Sequence, residues 1–123
     1  MHAIHMEALQ GKNAHLSAQI ALEGLKTDIT GRKILNIPYT IWQLITHINH
    51  WKDKWLARLN GIDQVCDLLE SGSQISIQAD EKYSSYHDVV QAMASHLSYH
   101  IGKLIILRRI FGAWPPPSGG FVW

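Results

Sequence analysis

The sequence predicts an all-α protein, a four-helix bundle with a proline- and glycine-rich C-terminal tail. Three observations predict it. Four segments place apolar residues at helical spacing. Strand-type alternation is nearly absent, with "SQISIQADEKYSSYHD" as the one stretch able to hold a brief extended piece. The last stripe is followed by "AWPPPSGGFVW", whose prolines exclude a helix.

The first helix is expected within Ala3 to Leu25, where Leu9, Leu16 and Ile20 recur on one face; Gly11 falls inside and leaves its start open. "KTDITGRKILNIPYT" connects it to the second helix, and Pro38 with Thr40 marks that helix's start. The second helix, Ile41 to Leu59, carries Ile41, Leu44, Ile48, Trp51, Trp55 and Leu59 on one stripe. A short third helix, Ile62 to Ser71, stops at Gly72. The fourth runs from about Ser85 to Phe111 and stops at Gly112. Helices of about twenty residues span some 30 Å, and the third reaches half that. A half-length wall leaves the stripes of its neighbours uncovered.

The chain has 123 residues, 46% hydrophobic and 17% charged, which suits one packed domain over its whole length. Eleven basic and ten acidic residues give a formal charge of +1, without the basic stripe of a nucleic-acid binder. Cys66 is the single cysteine, expected to be a small buried apolar residue, so neither a disulfide nor a thiolate metal cluster can form within the chain. No apolar run is long enough to cross a membrane and no signal-peptide pattern is visible, so the expected setting is cytoplasmic.

Eight histidines in so short a chain are unusual, and two of them, His96 and His100, lie four apart in an apolar run. At about 100° per residue, His100 falls at the centre of the Met93–Leu97–Leu104–Phe111 stripe and His96 on its shoulder, beside Val89 and Leu107. On the second helix His47 lies about 60° from the stripe centre and His50 about 120°. His47, His96 and His100 are therefore the inward set. Two imidazoles at i,i+4 with a third from another helix match the way helices present ligands to one metal ion. A pair alone fits a structural or surface role better, and the third inward histidine brings the two readings level.

His15 can reach the height of His47, but its angle favours the pocket rim or the surface. His2, His5 and His87 sit near helix ends and are read as solvated. There is no HExxH, so the zinc-protease pattern is absent. Asp53, Asp80 and Glu81 are the acidic residues nearest the histidine helices, each read as a surface charge. Trp51 and Trp55 are read as core, Trp114 and Trp123 as pins for the tail. Leu107 to Arg109, "LRR", is read as a solvated charge pair at a helix end rather than an anion site.

The stretch "TIWQLITHINHW", Thr40 to Trp51, fits a pattern SIWxL…HxxxW. "SHLSYHIGKLIILRRIFGAWPPPSGG", Ser95 to Gly120, fits SHxxYHxGQIxxLRRxxGxWPPPSGG, and "GKNAH" (Gly11 to His15) precedes the first connection. Together these resemble the DinB-like superfamily of bacterial proteins, over most of the chain apart from its middle. The resemblance implies an up-down-down-up four-helix bundle holding a divalent metal through His47, His96 and His100. One departure is plain: the family has a longer stretch where "WLARLNG" here runs into "IDQVCDLLESG". A family segment between about residues 59 and 62 is thus expected to be deleted, or else closed over by the numbering with a break in the chain.

Three imidazoles leave at least one coordination position open, the mark of a reactive site, and both zinc and nickel suit imidazole. Some members of the superfamily resemble thiol S-transferases, which implies a low-molecular-weight thiol as cofactor. The alternatives are metal-assisted hydrolysis, for which no convincing carboxylate base can be named, and a non-catalytic metal- or ligand-binding stress-response bundle. Apolar residues off the main stripe of the last helix, Ile105 and Ile110, predict a homodimer.

Overall fold

The computed structural model describes residues 3–11, 15–70 and 86–119, with backbone alone for residues 4, 5, 61–70 and 86. Within them are five helices and no strand: α1 (Ala3–Leu9), α2 (Ala18–Leu22), α3 (Thr27–Thr30), α4 (Ile41–Glu70) and α5 (Tyr86–Ile110). The fold is all-α, as expected. It differs from four separate walls in two places.

The expected first helix is broken. Gly11 adopts φ 76°, and a Cβ there would lie 2.8 Å from the carbonyl oxygens of His15 and Leu16. Only glycine lets the chain close back on itself so tightly. A new helix then starts at Ser17, whose Oγ accepts the Ile20 N–H at 3.3 Å. The expected second and third helices are one: α4 has 30 residues, about 45 Å at 1.5 Å per residue. No turn separates Leu59 from Ile62. Asn60 and Gly61 lower helix propensity, by roughly 1 kcal/mol for the glycine, but no proline stops the ladder.

The ends of the long helices follow from their sequences. Thr40 Oγ1 accepts the Gln43 N–H at 3.2 Å while Gln43 Oε1 accepts the Thr40 N–H at 2.9 Å, a reciprocal cap that opens α4. Gly112, at φ 67°, closes α5. Its N–H donates to Arg109 O at 3.0 Å and the Ala113 N–H to Arg108 O at 2.8 Å, a Schellman ending.

α1, α2 and α4 all pack on α5, and α3 packs on α4. Two apolar clusters mark the α4–α5 seam. Ile41 and Leu44 are buried with Ile101, Leu104 and Leu107, joined by Ala21 and Ile29. Trp55 and Leu59 are buried with Val89 and Val90 at the other end, so the two helices run antiparallel. His47 on α4, and His96 with His100 on α5, come in register between the clusters.

Arg108 corrects one expectation. Rather than a solvated charge it is 2% exposed. Its Nε donates to Ala113 O at 3.0 Å and its Nη1 to Ala21 O at 2.7 Å, and its guanidinium lies 5.4 Å from the Trp114 ring centroid. Arg109 is exposed. The tail is thus tied to the helices by a buried arginine as well as by half-buried Trp114; Trp123 lies outside the described residues. No helix among the described residues is long and apolar enough to cross a membrane.

Candidate metal centre

Capping at Thr40 sets the rotation of α4, and the buried Leu44 that follows brings His47, one turn on, to the edge facing α5. On α5 the 3.6-residue period places His96 and His100 one above the other on the face that meets it. His100 Nε2 lies 3.1 Å from His47 Nε2 and 3.0 Å from His96 Nε2. The His100 ring meets the other two edge to face, with centroids 4.6 Å apart for His47 and His100 and 4.4 Å for His96 and His100.

Hydrogen bonding alone is a poor account of this arrangement. A neutral imidazole Nε2 is either a donor or an acceptor. His100 Nε2 therefore cannot serve two imidazole nitrogens well at once, and one close pair sets lone pair against lone pair or proton against proton. A divalent ion relieves that conflict, because all three nitrogens then point lone pairs at one cation. Tetrahedral zinc with Zn–N of 2.0–2.1 Å needs nitrogens about 3.3 Å apart, a few tenths of an ångström beyond the spacing found. The three ligand atoms all lie within 4.8 Å of one another, and the group can hold a metal ion. Coordination through Nε2 puts the remaining proton on Nδ1; His100 Nδ1 is buried with no hydrogen-bond partner among the described residues.

Electrostatics favours the neutral, ligating form. Burial pushes His100 down to about 4, with the charges of His96, His47 and Lys103 adding to it. His96 is lowered as well, by burial first and then by His47. At neutral pH these nitrogens need not release protons to accept a metal.

No protein-family model, curated protein or solved structure matches the chain. The three-histidine group accordingly stands on its geometry.

The three histidines singled out in the sequence are the three brought together. His47, expected to point inward, is exposed, whereas His100 is 6% exposed; the group opens to solvent on the α4 side. His50 is exposed and stacks edge-on to Trp51 at 6.3 Å, away from the group. His15 is half-buried, its Nδ1 2.7 Å from Leu16 O, and takes no part in the cluster. His87 is exposed, and Asp53 is exposed with Lys52 3.6 Å away. Residues His2, Asp80 and Glu81, and the side chains of His5 and Cys66, fall outside what the structure describes.

Sequence reading missed the surroundings. Trp51, read as core, is half-buried beside the site, with its ring 5.5 Å from that of His96; Trp55 is buried as expected. Tyr99 lies 5.1 Å from the His100 ring, and Tyr39, Gln43 and Lys103 share a cavity with His47 and His100. The signal was present in the spacing: Tyr99 and Lys103 flank His100 at i−1 and i+3, the latter on the same helix face.

Proposed function

We propose that the chain is a DinB-like metal protein that binds one zinc or nickel ion through His47, His96 and His100 and acts as a thiol S-transferase-like enzyme. The observation that carries this reading is the convergence of three Nε2 atoms from two helices, with one member buried and one open to solvent. Bound there, the ion keeps a free position and lowers the pKa of a thiol that occupies it.

The protein's part is to hold the ligands and shape the approach. Leu44, Ile101 and Leu104 in one apolar cluster, and Trp51, Trp55 and Met93 in the other, flank the histidines along the α4–α5 seam. The exposed His47 edge is the side from which small molecules enter. Incubation of the metal-loaded protein with a panel of bacterial thiols and a soft electrophile should give metal-dependent thiol loss. Stoichiometric metal without turnover of any thiol would favour a non-catalytic metal- or ligand-binding module instead.

We also propose a cytoplasmic homodimer assembled through the helices. Trp42, Ile106 and Ile110 are 63%, 58% and 52% exposed, a large apolar presentation for two helices. Ile105, by contrast, packs against the core. Light scattering at micromolar concentration should return twice the 13.9 kDa chain mass; a monomer there counts against the dimer.

A further inference from the structure

We propose that the cavity walled by Tyr39, Gln43, His47, His100 and Lys103 binds a small carboxylate, with the carboxylate on Lys103 and the opposite end of the molecule at the histidines. The choice of a ligand with a metal-binding end rests on the metal-centre reading. The carboxylate subsite itself rests on Lys103 and its neighbours.

The cavity has a volume of about 350 Å³, at the small end of ligand pockets. Lys103 Nζ lies 4.2 Å from the Tyr99 ring centroid and 5.2 Å from that of Tyr39. Aromatic faces attract an ammonium group and restrict its motion, but they do not neutralise it. The Tyr99 side chain above all, with Tyr39 also contributing, pushes its pKa further up, so the ammonium is charged at neutral pH. No carboxylate lines the cavity among the described residues. Lys52, lining a second, largely apolar cavity beyond His96, contrasts with it: Asp53 stands 3.6 Å away.

The other polar groups also favour an anion. Gln43 Oε1 is committed to the Thr40 N–H, which leaves the amide NH₂ as the group with bonds to give. Gln43 lies in the first turn of α4, where the helix dipole favours negative charge. One lysine supplies a single positive charge, which balances a singly charged carboxylate but not a doubly charged phosphate. The neighbouring wall is His47 and His100, so a ligand a few atoms long reaches both ends.

The test uses 3-mercaptopropionate and its uncharged amide, titrated calorimetrically into zinc-loaded and metal-free protein. Wild type should bind the acid about tenfold or more tightly than the amide, the scale of a charge-assisted hydrogen bond. Lys103→Gln should erase that preference while zinc content and affinity for the amide stay unchanged, and Lys103→Arg should restore part of it. Equal binding of acid and amide by wild type, or a preference that survives Lys103→Gln, overturns the proposal. If the chain takes up no zinc, the metal reading fails alone. The carboxylate subsite then stands or falls on the same preference, and its loss in Lys103→Gln, in metal-free protein.

Discussion

Alanine at His100 is expected to abolish stoichiometric zinc or nickel binding, and alanine at His47 to do the same although the two lie 53 residues apart. Loss of groups that merely orient ligands typically costs about 10- to 100-fold in metal affinity, so loss of a ligand should cost more than about 100-fold. His50→Ala is the internal control: it is equally a histidine on α4 and equally exposed, but it does not belong to the convergent group. Elemental analysis after dialysis against limiting metal separates the outcomes. Full metal content in the His47 variant would show that the three nitrogens do not act together, and the pair on α5 would need another role.

The second large effect is a loss of stability of the metal-free protein in acid. An unfolded histidine binds its proton near pH 6.5, whereas the folded state holds His100 down to about 4. Between those values the unfolded chain binds more protons, so stability is full above about pH 6.5 and falls as pH drops. At about 1.4 kcal/mol per pH unit the loss from His100 approaches 3 kcal/mol by pH 4, and His96, shifted the same way, adds to it. Metal binds only the deprotonated nitrogens of the folded state, so saturating zinc should displace the fall to lower pH. Denaturant titrations at a series of pH values, with and without chelator, measure both curves. A metal-free protein equally stable at pH 7 and pH 4.5 would contradict buried, neutral imidazoles.

The parts legible in sequence are those set by short-range rules. Thr40 with Gln43 specifies where α4 begins and Gly112 where α5 ends, because caps are read over three or four residues. The histidine triad was legible because helical rotation alone separates His47 from His50. The illegible parts depend on distant contacts or on competition between weak signals. Gly11 leaves the start of the first helix open until the carbonyls of His15 and Leu16 are seen against it. Asn60-Gly61 reads as a helix end, yet the ladder continues through it. Arg108 and Arg109 are adjacent and chemically identical; helical spacing sets Arg108 on the face of Leu104 and Phe111, but only the carbonyls of Ala21 and Ala113 show how a charge is held there. Nothing in the sequence singles out Lys103 until Tyr39 arrives from the connection that precedes α4.

The buried arginine bears on the order in which the chain matures. Ala21 O, within the short helix α2, finds its donor in Arg108, 87 residues later. A five-residue helix is too short to hold its own shape in water. During synthesis at roughly 5–20 residues per second, α2 waits on the order of ten seconds for its partner to be made. The seam that carries His47, His96 and His100 cannot close before α5 exists either. The chain therefore reaches its ligand geometry and anchors α2 in one step, and metal can be captured by all three histidines only once α5 has been made.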